Sequence, residues 1–128
     1  MSITKQNIEK YLSEVKDAVK KNKYRIDRNE KREDNISLFL DYVIDEVRAK
    51  EILLSLSVTD FSEILQNEHR GYEYEQLYVF GKDVMLLERN GANKKSVSLY
   101  IKFNKLKSCF VVVISFHEQK HPLNYYFK

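Results

Sequence analysis

A chain of 128 residues, 43% hydrophobic and 32% charged, is sized for one domain with its own core, and no stretch reaches the roughly 20 apolar residues of a membrane helix. A single cysteine, Cys109, excludes an internal disulfide and a cysteine-rich zinc site; the polar start MSITKQNIEK has no apolar signal region, so a cytoplasmic protein is expected. The pattern leaves the oligomeric state open, with a monomer expected for the free protein. The net charge is only +3, but residues 41–75 hold nine acidic side chains against three basic ones, while Arg89 to His117 holds six basic residues and no acid.

Residues 3–19 read as an amphipathic helix, because Ile8, Tyr11, Leu12, Val15, Ala18 and Val19 recur at helical spacing. "KYRID" (23–27) is a short strand or an extended linker, and 28–34 is a charged loop without an apolar anchor. Two short helices follow, at about Asn35–Tyr42 and Asp45–Leu54. "SVTDFSEILQNEHR" then carries a helix start signal: Ser57 or Thr59 as N-cap, Asp60 and Glu63 in the first turn, and Phe61, Ile64 and Leu65 on one face. After Gly71 the period becomes that of strands. "EQLYVFG" forms one, ending at Gly81; "DVMLLE" forms a second; "RNGANKK" is a turn; "SVSLYIKFN" and "CFVVVISFH" are the last two. Helices first and strands last predict an α+β domain: helices within 1–66 packed on one face of an antiparallel sheet within 74–118, then a tail, 119–128.

The last two strands alternate. Val97, Leu99, Ile101 and Phe103 oppose Ser98, Tyr100, Lys102 and Asn104; Phe110, Val112, Ile114 and Phe116 oppose Val111, Val113, Ser115 and His117. Matching the apolar sets on the helix side leaves Tyr100, Lys102, Ser115 and His117 together on the other face. A two-residue turn at Ser108–Cys109 sets Tyr100 opposite His117; a longer turn at Leu106–Lys107 sets His117 opposite Ser96, and the pattern leaves both open.

Tyrosine, lysine and histidine on a basic face suit RNA cleavage without a metal. An imidazole can take or give a proton near neutral pH, a lysine steadies the phosphorane's charge, and a tyrosine donates a hydrogen bond or stacks on a base. Lys94, Lys95, Lys105 and Lys107 extend the basic surface that phosphates would meet. A solvated basic face with a histidine at a strand end is the competing reading. His69, His117 and His121 lack a metal-ligand spacing, so neither metal nor cofactor is expected, and the tail's "NYYFK" reads as packing against the sheet edge.

Four stretches, "LSVTDF" (56–61), "LYVFG" (77–81), "LYIK" (99–102) and "VISFHE" (113–118), together resemble the MqsR-like family of bacterial toxins, which share the RelE-type ribonuclease fold. The resemblance implies a sequence-selective, metal-independent endoribonuclease that cuts single-stranded mRNA, free or on the ribosome, to a 2′,3′-cyclic phosphate, and that a cognate antitoxin silences. It implies catalytic roles for Tyr100, Lys102 and Gln76, and for His117 where the family carries a basic residue, often lysine. Another family lysine falls on Glu63; His69 or Arg70, at the end of the same expected helix, would supply the missing charge. The alternative is a non-catalytic RNA- or protein-binding module of the same shape.

Overall fold

The computed structural model describes residues 3–28, 32–91 and 93–128, so part of the charged loop expected at 28–34 and one residue of the 89–95 turn lie outside the described residues. The elements run α1 (Lys5–Lys20), β1 (Tyr24–Ile26), α2 (Glu33–Asp41), α3 (Glu46–Leu54), a 3₁₀ turn (Val58–Asp60), β2 (Phe61–Gln66), β3 (Gln76–Leu87), β4 (Lys94–Lys105) and β5 (Val111–Glu118). The sheet has five strands in the order β1-β5-β4-β3-β2. Helices α1 and α3 begin on side-chain caps: Thr4 Oγ1 accepts from Asn7 N at 3.1 Å, and Asp45 Oδ1 from Arg48 N at 2.8 Å.

One core joins the helices to one face of the sheet. Ile8, Leu12 and Val15 of α1, Leu38 of α2 and Ile52 and Leu53 of α3 meet Phe80, Leu99, Ile101, Phe103, Val113 and Phe116. Phe61, Phe80 and Phe103 stack edge to face in a row, with centroids 5.6 Å apart at each step. Each such buried ring contributes about 1.5–3 kcal/mol. The α+β class follows from this arrangement.

Three features of the sheet depart from expectation. It is mixed, because β1 pairs parallel with β5, Tyr24 to Val111 through Ile26 to Val113. The two strands expected around Gly81 are one continuous strand, β3, on which Gly81 pairs with Tyr100 without interruption. The helix expected over 57–70 is a single 3₁₀ turn followed by β2. Its cap is real, since Ser57 N donates to Asp60 Oδ2 at 2.9 Å, but it supports only that turn. Pairing with the edge of β3 then overrides helical propensity. A bulge between Phe61 and Glu63 puts Phe61 and Ile64 on the same face three residues apart, which mimicked helical spacing.

A second bulge shapes β5. The β4–β5 turn is three residues long, with Leu106 N bonded to Phe110 O and Cys109 at φ 67°. Such a turn alone would offset the register by one. The register recovers at the bulge, where Phe103 faces Val113 while Lys102 faces Ser115, with Ile114 left over. Val111 and Val113 therefore join the main core with Phe116, while Val112 and Ile114 form a small cluster with Leu77 on the other face. The expectation that Phe110, Val112 and Ile114 share a face with Phe116 fails for this reason.

Asn35 holds the bulge. It is 1% exposed, its Nδ2 donates to Asp27 O (2.7 Å) and Ile114 O (2.9 Å), and its Oδ1 accepts from Phe116 N (2.8 Å). Helix α2 thereby fixes the strand segment that carries Ser115 and His117.

Candidate functional site on the open face of the sheet

The face away from the helices is organised in three cross-strand rows. One is Gly81–Tyr100–His117; the next is Glu63–Val79–Lys102–Ser115; the third is Leu65–Leu77–Asn104–Val112. Residues directly opposite one another share a face, so the expected grouping of Tyr100, Lys102, Ser115 and His117 forms. The Tyr100 and His117 rings stack with centroids 5.2 Å apart and planes 8° from parallel.

The tail roofs part of this face. Gln119 N bonds to Ser98 O (2.8 Å) and its Nε2 to Leu99 O (3.0 Å); Ser62 Oγ bonds to Asn124 O (2.7 Å) and Tyr126 N to Phe61 O (3.1 Å). The chain thus crosses from β5 to β2 over Gly81. A Cβ at Gly81 would lie 2.5 Å from Tyr125 Oη and 2.6 Å from Leu123 Cδ1, so only glycine leaves room for the crossing.

Between the tail and the start of α2 lies a hollow of about 400 Å³, lined by Arg32, Tyr100, Lys102, Ser115, His117 and His121 among others. A neighbouring hollow of about 550 Å³ shares Arg32 and Lys102 with it and continues over Leu65, Leu77 and Ile114 to His69. The two form one groove of a size suited to a nucleotide or more.

Arg32 and Lys102 are shared by both hollows, while the carboxylates on the lining, Asp34 and Glu68, belong to one hollow each. Among the described residues no carboxylate lies within ion-pair distance of Lys102. Burial pushes its ammonium below the usual lysine range, and the neighbouring Arg32 guanidinium pushes the same way. Arg32 itself is loosely paired, 3.7 Å from Asp27. Burial raises the Tyr100 phenol, and Glu63 adds to the rise, so Tyr100 remains a hydrogen-bond donor. At the rim Lys120 bonds Asp34 at 2.8 Å and holds that carboxyl below its usual range. His117 Nδ1 lies 2.7 Å from Glu118 O. A carbonyl oxygen can only accept, so Nδ1 carries the proton, and the tautomer this selects for the neutral ring has its lone pair on Nε2. Among the described residues no group of three His, Cys, Asp or Glu side chains converges closely enough to hold a metal ion.

Several expected site residues stand elsewhere. Gln76 alternates with Leu77 and so falls on the helix-side face. Lys105 does too, because it pairs with Glu14 and lies over the Tyr11 ring, 5.4 Å from its centroid. Lys95 is on the same side, beside Tyr42. Lys94 sits at the far end of β4, opposite Leu87. Lys107 lies over Tyr74 in the turns below the groove, 5.3 Å from its centroid. His69 and Arg70 are in the β2–β3 loop, not on a helix; His69 lines the groove and Arg70 is exposed outside it. The position where a family lysine was expected, Glu63, is an acid two strands from Lys102, roughly 10 Å at sheet spacing.

Arg32, Asn35 and the tail residues Lys120 and His121 escaped the sequence. Arg32 ends a basic stretch, 20–32, in which nothing marks it from its neighbours, and Asn35 carries no local signature. The tail had one: an isolated glycine inside a strand pattern, Gly81, marks a close approach by another segment. No protein-family model, no curated protein and no solved structure matches this chain.

Proposed function

We propose that the open-face groove is the active site of a metal-independent endoribonuclease acting on single-stranded mRNA, in the manner of the MqsR-like toxins with their RelE-type fold, and that a cognate antitoxin protein restrains it. The observation that carries this reading is the stacked Tyr100–His117 pair, with Nε2 of His117 free to accept a proton, beside Lys102 and Arg32 in one groove. Nε2 takes the proton from the 2′-hydroxyl, which attacks the adjacent phosphorus. Lys102 and Arg32 neutralise the charge that builds on the phosphorane oxygens, and their incomplete pairing leaves them available to do so. Tyr100 holds the imidazole plane and donates its hydroxyl to the phosphate. The products are a 2′,3′-cyclic phosphate and a 5′-hydroxyl. Gln76, Arg70 and Lys105 have no part in this chemistry.

The test is cleavage of an end-labelled mRNA in EDTA, with and without ribosomes. Wild type is expected to cut, and His117→Ala to cut about 10²–10⁴-fold more slowly, the usual worth of a general base. A folded wild type that binds the RNA but leaves it intact under both conditions points instead to a binding module. Induction in growing cells gives an independent check, since a toxin halts translation and a small neighbouring gene restores it.

A further inference from the structure

The cleavage reaction needs two proton transfers, and His117 in its Nδ1–H form can begin as base only. We propose that His121 is the general acid that protonates the leaving 5′-oxygen, a reading that rests on the ribonuclease function proposed above.

Two observations carry it. His117 and His121 line the same 400 Å³ hollow, His117 from the sheet and His121 from the tail that roofs it. The tail is not a loose end: it is fastened to β4 by Gln119 on one side of His121 and to β2 by Asn124 and Tyr126 on the other. The glycine at 81 lets it lie flat on the sheet between those anchors. Two imidazoles on different elements of one hollow, one on the sheet and an exposed one on the tail, with Arg32 and Lys102 on the same lining, can serve the two ends of an in-line displacement, in which entering and leaving oxygens stand on opposite sides of phosphorus.

The protons and bonds balance. The 2′-O–H proton passes to His117 Nε2 as the O2′–P bond forms. The P–O5′ bond breaks as imidazolium His121 gives its proton to O5′. Exchange with water then returns both rings to their starting states. Other charged groups around the pair are Arg32 and Asp34 at the start of α2, Lys102 and Tyr100 on β4, Glu63 across the sheet, and Glu118 and Lys120 flanking the rings in sequence. Asp34 is engaged by Lys120, and Glu118 Oε1 accepts from the Tyr42 hydroxyl at 3.3 Å. Both carboxylates are thus engaged by other side chains. Lys102, the other candidate acid, lies on the floor of the groove, where it meets the phosphate's non-bridging oxygens.

The experiment uses one RNA in two forms: the natural oligonucleotide, and the same sequence with sulfur in place of the 5′ bridging oxygen at the mapped cleavage position. A thiolate departs without a proton. His121→Ala is expected to slow cleavage of the natural RNA about 10²-fold or more, the usual worth of a general acid, and to cleave the sulfur-bridged RNA within about threefold of wild type. His117→Ala is expected to fail on both. Wild type should give a bell-shaped pH profile, and His121→Ala should lose the alkaline limb, because that limb reports an acid that must stay protonated. Equal losses on both substrates, or rescue by sulfur in Lys102→Ala instead, would overturn the assignment, as would a His121→Ala variant as fast as wild type on natural RNA. If wild type cuts neither substrate, the ribonuclease reading itself falls and this assignment falls with it.

Discussion

Two lysines three residues apart on β4 have opposite fates. Lys105, on the helix-side face, is ion-paired with Glu14 and lies over the Tyr11 ring. Lys102, on the open face, has no carboxylate within ion-pair distance among the described residues, sits beside Arg32, and is held below the usual lysine range by burial. The strand's alternation alone separates them. One charge is compensated within the fold; the other is left for something that arrives from outside. On the ribonuclease reading proposed above a phosphate would meet that need, and the fold bears the cost of a half-buried ammonium until it does.

The pair gives the largest expected effect. Lys102→Met should lower cleavage about 10²-fold or more, by removing a phosphorane-stabilising charge. The same change should raise the melting midpoint by a few degrees. The sign follows from linkage: the folded state lowers this pKa, so the unfolded chain holds the proton more tightly. The penalty is complete at neutral pH and fades as pH rises from the folded pKa toward the ordinary 10.5, so the advantage of methionine should shrink there. Lys105→Met should do the reverse, lowering the midpoint by a degree or more and leaving cleavage within about threefold. Equal losses of cleavage in the two variants would show that the faces do not divide the labour. Thermal melts and initial rates on the same RNA decide it.

Asn35 tests the other support of the open face. Asn35→Asp replaces a donor to two carbonyls, the half-buried Asp27 O and the buried Ile114 O, with an acceptor, while keeping size and the bond from Phe116 N. The loss of both donated bonds and a buried carboxyl should cost about 3 kcal/mol or more, read from urea unfolding. Because the bulge sets which side chains of β5 face the groove, residual folded protein should also cleave poorly. A variant as stable as wild type would mean that the bulge forms without this latch.

The bulge also marks the limit of what the sequence discloses. Helix α1 was legible because six apolar residues at helical spacing leave no other period, and β4 because its alternation is unbroken. The grouping of Tyr100, Lys102 and His117 followed from those alternations once the register was right. What lay hidden was set by distant partners. Val112 and Ile114 face away from the core because a three-residue turn and a one-residue bulge offset one another, and the Asn35 that pins the bulge is 79 residues from Ile114. Strand β2 read as a helix because a bulge imitates a three-residue spacing and a capping box looks the same at the head of one turn as of four. Arg32 and His121 reach the groove through a loop and a tail, where side-chain periodicity carries no information.

Gly81 sharpens the comparison on the open side alone. Gly81→Val suits a strand by propensity, but its side chain must displace the ends of Leu123, Gln119 and Tyr125. The tail should lift while the helix-side core stays intact. Trypsin should then cut after Lys120 severalfold faster, and cleavage of RNA should fall by about tenfold as the roof of the groove is lost. A tail that remains protected would indicate that the sheet and tail separate slightly at little cost.

The smallest effects come from one hydroxyl on each face. Tyr11, on the helix side, stacks on Tyr78 with ring centroids 3.6 Å apart, and its buried hydroxyl makes no hydrogen bond of good geometry among the described residues, with the Lys105 backbone near it. Deleting that oxygen in Tyr11→Phe keeps the stack and removes a poorly paired polar atom, so it should raise stability by about 0.5–1 kcal/mol without touching cleavage. Tyr100 stacks on His117 in the same parallel manner, and Tyr100→Phe also keeps its stack. There the lost hydroxyl is a donor aimed at the groove, so stability should stay within about 0.5 kcal/mol while cleavage falls roughly three- to tenfold. Matched deletions with opposite readouts are what a face built for folding and a face built for a ligand should give. If Tyr100→Phe also proves silent in cleavage, the tyrosine serves only to hold the His117 ring, and phosphate contact rests with Lys102 and Arg32.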